Sequence, residues 1–575
     1  MKKSTLASAV SATLLGAIVF VVSAQAAPRP MFDWATVVNN NDAMPGDPAG
    51  RSFNSYNQPS VNMNGLVVIR ARSRGGSGGQ PAHGIYTRDM SRGDVPTSSI
   101  VRILDRTTLV PQPNNLGTTF VETPSFPRID MWSDTIATRG NHQPVWTYGS
   151  EGDETRVGTT GIYTNPFGDL ITGASKLGAV PDFGFFAVPG LDPPTLFDVF
   201  PGAPSVTNGA TIVFKGNFTV GDIGKTGVFY RDLVDELINS GPGGGTNPVV
   251  LIANNTDTLI PGTDQLFGST SPPSAANGQV VFSGFDNEDA PTLGGIYLAP
   301  LAETPELTTL VSIGQRVPGE SATSTFTNLG EGNAFDGRDV GFWGAWGDET
   351  RTVRLYCPTE GNKDRIAYCN QELVCEDTGE KLGAPNIECD DTGCYQDKEV
   401  PVNQGIFVHD IKTHKTRIVA KTGAPYDDFL FWNFSGKTPC VGSGHSEEGA
   451  EDDGEPARWR SSAFVAVSGP GATYTVAFKA RTGDLVDGLY ADPVDGIYLG
   501  SGPGQGRAIM TVLDTTMNGQ VLDPEAPAGS TITELGIERE GLRGNWLAVT
   551  ATMGVEGGTE EEGLAGVYLT RLPRR

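Results

Sequence analysis

The chain has 575 residues, of which 67 are acidic and 41 are basic, so its formal charge at pH 7 is −26. A charge this negative argues against a nucleic-acid binder, which needs basic residues to displace the counterions of the phosphate backbone. The 75 glycines and 40 prolines follow no collagen-like period and 38% of residues are hydrophobic, so the composition indicates many short strands joined by turns.

The amino terminus has the three parts of a secretory signal peptide. Lys2 and Lys3 precede an apolar run over residues 6–22, and a small-residue site ends at Ala26. This succession predicts cleavage after Ala26; the alternative is an uncleaved membrane anchor. Residues 27–575 would then form one mature β-propeller domain, secreted or periplasmic, without a membrane anchor.

The tripeptide Gly-[Ile/Val]-[Tyr/Phe] recurs along the chain, and a β-type run follows it. Upstream, an Asn-Gly pair separates two further β-type runs in several copies, which is the strongest short signal for a hairpin. Each copy therefore predicts four strands, and repeated four-stranded units are typical of β-propeller blades. The seven copies begin at Gly84, Gly161, Gly227, Gly295, Gly405, Gly496 and Gly566.

These repeats predict an all-β fold, a seven-bladed β-propeller of four-stranded blades. Residues 34–38 resemble a fourth strand without its first three, and the last copy, at 566–569, lacks a fourth strand. If the amino-terminal strand paired there, it would close the last blade and leave no open sheet edge. The alternatives are an open array of sheets or two separate β domains.

The repeats also resemble those of secreted bacterial tandem-repeat proteins that carry an N-x-x-G-x-x-x-V pattern. Asn62, Gly65 and Ile69 are similar to this pattern, whereas the second unit has Asp134 at the glycine position. The resemblance covers most of the mature chain. It implies a propeller-like array, with no established function and no catalytic residues to carry over.

Two insertions lengthen the chain around the fifth and sixth units. A Cys-rich insertion spans about 347–402, and an acidic loop insertion spans about 436–460 and contains Cys440. Strand alternation in a propeller places both on one face. Six cysteines in an exported chain predict three disulfides. An odd number cannot pair internally, so Cys440 should bond to one of the five in the first insertion, which are Cys357, Cys369, Cys375, Cys389 and Cys394.

Two copies of Gly-Asp-Glu-Thr-Arg are candidate ligand loops, since both fall between the second and third strands of their units. Carboxylates beside an arginine suit a cation or a sugar hydroxyl, and the alternative is a hairpin tip with solvated charges. The candidate residues are Asp153, Glu154, Arg156, Asp348, Glu349 and Arg351.

Two other loops are rich in carboxylates and are candidate calcium sites, because Ca²⁺ takes about six to eight oxygen ligands. Neither loop matches an EF-hand, the histidines show no typical metal-ligand spacing, and the chain is not expected to require a cofactor. The candidate calcium ligands are Asp286, Asp289, Asp484 and Asp487.

The sequence favours a secreted, non-catalytic module that binds a glycan, a protein or a surface ligand through loops on one face. It contains no recognisable nucleophile, general base or metal cluster, and its elaborated parts are peripheral insertions. The alternative is an extracellular hydrolase or lyase that uses carboxylates on the same loop face. Propellers host both classes, so the predicted fold does not decide between them.

Overall fold

The chain is described by a computed structural model. It covers residues 32–573 except the segments 75–80, 94–95, 97, 115–116, 143–145, 151–154, 158–159, 234–244, 360–361, 376–377, 424, 437, 440–455, 470–472, 503–508, 556 and 559–562. The described residues are mainly β-strand, which confirms the predicted all-β class. They form seven antiparallel sheets of four or more strands, numbered here in chain order.

The first strand of the chain is β1 (Trp34–Asn39), and it belongs to the last sheet. Sheet 1 contains β2 (Phe53–Tyr56), β3 (Ser60–Val61), β4 (Leu66–Ser73), β5 (His83–Asp89) and β6 (Val101–Asp105). Sheet 2 and its separate hairpin β10–β11 contain β7 (Phe120–Glu122), β8 (Arg128–Ile129), β9 (Ile136–His142), β10 (Trp146–Tyr148), β11 (Thr155–Val157), β12 (Thr160–Phe167) and β13 (Asp169–Ser175). Two 3₁₀ turns follow, Lys176–Ala179 and Gly184–Phe186.

Sheets 3 and 4 have the simplest connections. Sheet 3 contains β14 (Ser205–Thr207), β15 (Thr211–Val220), β16 (Ile223–Asp232) and β17 (Val250–Asn254). Sheet 4 contains β18 (Ser269–Thr270), β19 (Ser274–Ala276), β20 (Gln279–Phe285), β21 (Gly294–Pro300) and β22 (Thr308–Ser312).

Sheet 5 carries the Cys-rich insertion. It starts with β23 (Phe326–Leu329), β24 (Ala334–Phe335) and β25 (Asp339–Tyr356), and the insertion adds helix α1 (Lys363–Cys369) and the hairpin β26 (Leu373–Val374) and β27 (Lys381–Leu382). The sheet is completed by β28 (Glu388–Cys389), β29 (Cys394–Asp410) and β30 (Lys415–Lys421). Because β25 and β29 remain paired as far as Tyr356 and Tyr395, the insertion is largely a lengthened hairpin of the sheet itself.

Sheets 6 and 7 complete the described chain. A separate hairpin, β31 (Phe431–Ser435) and β32 (Arg458–Ser462), precedes sheet 6. Sheet 6 and its small hairpin β35–β36 contain β33 (Val465–Ser468), β34 (Thr475–Thr482), β35 (Leu485–Val486), β36 (Leu489–Tyr490), β37 (Val494–Ser501) and β38 (Met510–Asp514). After a 3₁₀ turn at Gly519–Val521, sheet 7 contains β39 (Thr531–Gly536), β40 (Leu542–Arg543), β41 (Trp546–Gly554), β42 (Leu564–Arg571) and β1.

Strands from the two ends of the described chain meet in sheet 7. β1 pairs antiparallel with β42, with Trp34 opposite Thr570 and Asn39 opposite Gly566. The innermost strands also contact one another from sheet to sheet: β3 contacts β8, and the series continues through β14, β19, β24, β33 and β40 back to β3.

The aromatic residue of the repeated tripeptide has the same packing role in six sheets. It lies on the third strand and meets, edge to face, an aromatic ring on the first strand or in the segment of chain that leads to it, with ring centroids 4.7–5.2 Å apart. Such edge-to-face pairs are favourable beyond the area they bury. The pairs are Phe53–Tyr86, Phe120–Tyr163, Phe197–Phe229, Phe267–Tyr297, Phe326–Phe407 and Tyr426–Tyr498.

At the glycine of the tripeptide, the backbone of the fourth strand lies unusually close to the backbone of the third strand. A Cβ atom at Gly295 would lie 2.1 Å from the carbonyl oxygen of Val311, and one at Gly84 would lie 2.4 Å from that of Leu104. The register of the third and fourth strands shifts immediately after this point, as in a β-bulge. Only glycine leaves room for this approach.

The Asn-Gly pair of the fourth repeat forms the predicted tight turn. Asn277 and Gly278 connect β19 to β20 in a two-residue loop, and both have positive φ, at 52° and 71°. This combination is typical of a type I′ turn, which strongly favours asparagine followed by glycine.

Candidate functional site

Two faces of the sheets are distinguished by their connections. The loop face carries the connections from the second to the third strand of each sheet and the segments that lead into the first strand. The turn face carries the turns from the first to the second strand. Both insertions emerge on the loop face. They pack together there, because Phe434 and Ala457 beside β31 and β32 share a buried apolar cluster with Cys357, Cys369 and Ala384 of the first insertion.

Disulfides close the first insertion. Cys357 bonds to Cys369 and Cys389 bonds to Cys394, which indicates an oxidising, extracellular or periplasmic environment. Cys375 is also disulfide-bonded. Cys440 lies outside the described residues, so its bond to the first insertion stays a prediction.

The two copies of Gly-Asp-Glu-Thr-Arg have different surroundings. In the first, Asp153 and Glu154 lie outside the described residues, and Arg156 lies in β11 opposite Thr147. In the second, Asp348 and Glu349 are exposed at an irregularity of β25.

Arg351 of the second copy binds protein groups of the neighbouring sheet. Its guanidinium donates to the carbonyl oxygen of Asp427 and to the hydroxyl of Tyr490 at 3.2 Å, and it lies 3.6 Å from the Asp428 carboxylate. The Tyr490 hydroxyl in turn donates to Asp428 at 2.5 Å. Arg351 therefore fixes the lengthened hairpin of sheet 5 against sheet 6. Ligand binding by Asp348, Glu349 and Arg351 stays a prediction.

The calcium candidates lie in two separate loops. Both carboxylate oxygens of Asp286 accept hydrogen bonds from Thr292 or Leu293 in their own loop, and Asp289 lies 3.5 Å from Arg458. Asp487 has a φ of 51° and occupies the tight turn between β35 and β36, while Asp484 is exposed. Within the described ranges, no three His, Cys, Asp or Glu side chains are placed to share a metal ion. Calcium binding stays a prediction.

A groove with a volume of about 620 Å³ opens on the loop face between sheets 7 and 1. We call it the polar groove, because 10 of its 21 lining residues have amide, hydroxyl or charged side chains. Its polar lining residues include Asn40, Asn54, Ser55, Tyr56, Gln58, Arg74, Thr533, Glu534, Thr550 and Thr552.

The floor of the polar groove depends on a missing side chain. A Cβ atom at Gly536 would lie 2.4 Å from Oγ1 of Thr550 and 2.8 Å from Cγ of Gln58. The Tyr56 hydroxyl donates to Oδ1 of Asn40 at 3.3 Å, and burial raises the pKa of Tyr56 well above its ordinary value. The tyrosine is therefore a neutral hydrogen-bonding group.

Several polar side chains of the polar groove form no hydrogen bond with the part of the protein that the structure describes. Among the residues that the structure describes, the side chains of Asn54, Gln58 and Glu534 form no hydrogen bond with protein, although Glu534 and Lys479 interact electrostatically. Two amides and a carboxylate thus present donors and acceptors to whatever occupies the groove.

A second group of charged residues lies where the innermost strands meet. We call it the axial cluster; it contains Arg128 from β8, Glu538, Arg539 and Glu540 from the segment before β40, and Arg543 from β40. The Arg128 guanidinium donates to Glu538 and lies 3.3 Å from Glu540, which lies 3.6 Å from Arg543. The side chains of Arg128, Glu540 and Arg543 are each at most 3% exposed.

The axial cluster joins distant sheets and keeps the Glu538 carboxylate charged. Arg539 donates to the carbonyl oxygen of Pro272 in sheet 4 at 3.0 Å and lies 3.3 Å from Glu538. Burial by itself would raise the pKa of Glu538, but the charges of Arg128 and Arg539 outweigh it and lower that pKa. Glu538 is therefore an ionised structural partner, unlike a general acid, whose pKa must lie near the working pH.

The buried carboxyl group of Asp339, near the turn face, has a raised pKa, in contrast to that of Glu538. Asp339 is 2% exposed, and burial, with a smaller contribution from the charges of Asp336 and Asp410, raises its pKa to about 7. Its Oδ2 atom is buried and has no hydrogen-bond partner among the described residues. Asp339 is therefore largely protonated below neutral pH.

We expect Asp339→Asn to stabilise the protein at high pH. Because the folded pKa lies above the unfolded value of 3.8, the stability linked to Asp339 is fully present below pH 4 and is lost as the pH rises through 7. The substitution should therefore raise the free energy of unfolding by about 2 kcal/mol at pH 8 and by much less at pH 4. Urea unfolding at both pH values measures this, with the exposed Asp264→Asn as control. An equal effect at both pH values would contradict the assignment.

The described part of the chain contains no helix long and apolar enough to cross a membrane. The chain matches no protein-family model and no curated protein. Among solved structures, an oligogalacturonate lyase in complex with manganese covers 95% of this chain and 99% of its own, with 8% identity and a TM-score of 0.37.

Two other solved structures also match. A puromycin-hydrolysing peptidase of Mycobacterium tuberculosis covers 91% of this chain and 61% of its own, with 8% identity and a TM-score of 0.28. A periplasmic gluconolactonase of Pseudomonas aeruginosa covers 80% of this chain and 99% of its own, with 13% identity and a TM-score of 0.23. Similarities of this size assign no activity to the chain.

Proposed function

We propose that this protein is a secreted, non-catalytic binding module whose polar groove binds a neutral glycan. The observation that carries the proposal is the set of side chains in the groove, Asn54, Gln58 and Glu534, that have no protein hydrogen-bond partner among the described residues. A glycan presents many hydroxyl groups that both donate and accept, which is the complement of such side chains. The volume of about 620 Å³ is within the usual range of small-molecule sites.

Charge favours a neutral ligand. The chain carries a formal charge of −26, and Glu534 adds a carboxylate inside the polar groove. A polyanionic glycan would approach against this field, whereas a neutral oligosaccharide would not.

The proposed scaffold is a seven-bladed propeller in which each of the seven sheets is one blade. The closed series of contacts between innermost strands and the pairing of β1 with β42 support this arrangement. The proposed location is outside the cytoplasm, with a signal peptide cleaved after Ala26, and the disulfides of the first insertion support it.

The carboxylates of the axial cluster do not favour the hydrolase or lyase alternative. Glu538 and Glu540 are paired with arginines and largely buried, so neither is placed to exchange a proton with a substrate. The polar groove contains one carboxylate among its described lining residues, where a typical glycoside hydrolase uses two.

The mature chain should bind neutral oligosaccharides on a glycan microarray, and calorimetry should then measure their affinity. We expect the double variant Asn54→Ala/Gln58→Ala to lose about tenfold or more in affinity, because two hydrogen-bonding groups at the site are removed. Gln265→Ala, an exposed glutamine outside the groove, is the matched control and should bind like the wild type.

Two results would contradict the proposal. One is wild-type affinity in the double variant for every oligosaccharide that binds. The other is the release of shorter products when the bound oligosaccharide is incubated with the protein and analysed by chromatography, which would support the enzymatic alternative.

A further inference from the structure

Trp132 is the most exposed of the tryptophans whose side chains the structure describes. Its side chain is 61% exposed, whereas Trp343, Trp346 and Trp546 are each at most 7% exposed. It lies on the turn face, between β8 and β9, on the side of the sheets opposite the polar groove. A single exposed apolar side chain is common on protein surfaces, so a role for this tryptophan must follow from how its ring is held and from the groups around it.

The backbone of this turn is held firmly. Oδ1 of Asp130, a residue only 2% exposed, accepts hydrogen bonds from the amides of Trp132 and Ser133, both at 2.7 Å. Oδ2 of the same carboxylate accepts from the amide of Gly209 in the turn of sheet 3, at 3.1 Å. One buried carboxylate thus fixes the turn and its neighbour together.

The indole ring is held as well. Nε1 of Trp132 donates to Oδ1 of Asn277 in the turn of sheet 4, at 3.1 Å. Asn277 itself is fixed by its tight turn, in which it has a φ of 52°. The ring therefore reaches from sheet 2 past sheet 3 to sheet 4 and is oriented before any ligand arrives, which lowers the entropic cost of binding.

The surroundings of the indole are polar. The exposed residues of the neighbouring turns are Asn64, Asp134, Asn208 and Asn277. Among the described residues of the turns between first and second strands, Trp132 is the one exposed large hydrophobic side chain. A protein-docking surface would need a contiguous apolar patch around such an anchor, and the turn face does not provide it here.

We propose that Trp132 is the stacking platform of a second carbohydrate site, on the turn face. One apolar face of a pyranose ring would lie on the indole, while the flanking asparagine amides would bind its hydroxyl groups, the usual combination of an apolar surface with a few placed polar groups. The inference rests on Trp132 and its turn, and it does not depend on the polar groove.

The test uses three neutral probes, cellohexaose, maltohexaose and chitohexaose, each titrated up to about 5 mM into the mature full-length protein by calorimetry. We expect at least one to bind, and Trp132→Ala to lower its affinity about tenfold or more, as is usual for a tryptophan anchor. Trp132→Phe should retain part of the affinity because it keeps an aromatic face. Both variants should melt within about 2 °C of the wild type, since the side chain is exposed.

The groove variant Asn54→Ala/Gln58→Ala separates this proposal from the proposed function. Binding at the turn face should survive that double variant and be lost in Trp132→Ala, whereas groove binding should behave in the opposite way. The inference is overturned if none of the three probes binds, or if Trp132→Ala binds every probe like the wild type. It is also overturned if sedimentation shows that Trp132→Ala dissociates a dimer without changing probe affinity, because Trp132 would then be a contact between copies.

Discussion

Replacement of Arg128 by alanine is expected to lower the free energy of unfolding by about 3–5 kcal/mol. Arg128 is about 1% exposed and is paired with both Glu538 and Glu540, which belong to another sheet. Without it, Glu538 and Glu540 each lose one of two cationic partners and keep only Arg539 and Arg543. Leaving buried carboxylates with too little compensating charge costs far more than the net value of an ordinary ion pair.

Urea unfolding of the wild type and of Arg128→Ala at pH 7 measures this loss. Lys421→Ala is the control, because the pair of Lys421 with Glu320 is largely exposed, with the lysine side chain at 54%, and should contribute less than about 1 kcal/mol. A loss as small as that of the control would show that the axial cluster is hydrated and structurally unimportant.

The effect should also depend on pH with a definite sign. The pKa of Glu538 is lowered in the folded protein, so its contribution is present above the unfolded value of 4.5 and is lost as the pH falls through the folded value. The difference between wild type and Arg128→Ala should therefore narrow under acidic conditions.

Gly295→Ala is the second substitution with a large expected effect, a loss of about 3 kcal/mol or more. The added Cβ would lie 2.1 Å from the carbonyl oxygen of Val311 and 2.9 Å from Cα of Ser312. Both are backbone atoms of the neighbouring strand, so the clash cannot be relieved by a side-chain rotation, and β21 and β22 would have to separate.

Gly224→Ala is the matched control for this substitution. Gly224 also lies in a strand, β16, yet no atom lies within 4 Å of the position that its Cβ would occupy. Its replacement should change stability by less than about 1 kcal/mol. Equal thermal midpoints for Gly295→Ala and the wild type would show that the tripeptide glycine is not required by the approach of the fourth strand.

The repeat could be predicted from the sequence because its key residues are required by the local conformation of the backbone. The bulge after Gly295 and the positive φ values of Asn277 and Gly278 are backbone requirements that only one or two residue types meet. Such requirements recur wherever the same unit recurs, so they are visible in the sequence without knowledge of the neighbours.

The candidate sites were less predictable. The two Gly-Asp-Glu-Thr-Arg copies are identical in sequence, but the Arg351 side chain of the second is engaged by Asp428 and Tyr490 of the next sheet. Nothing within the pentapeptide encodes that neighbour. The turn of Trp132 did carry a signal, since Asp134 stands there in place of the usual glycine, but that departure alone does not indicate a ligand.

The sequence by itself determined the all-β class, the four-stranded unit, the tight turns and the cysteine-rich insertion, because each depends on residues close together in the chain. Only the tertiary structure decided which separated residues share a site. The polar groove combines residues 54–58 with residues 533–566, and the axial cluster places Arg128 beside Glu538. These juxtapositions arise from packing between sheets, and charge pairing and groove shape depend on distances that the linear order of residues does not contain.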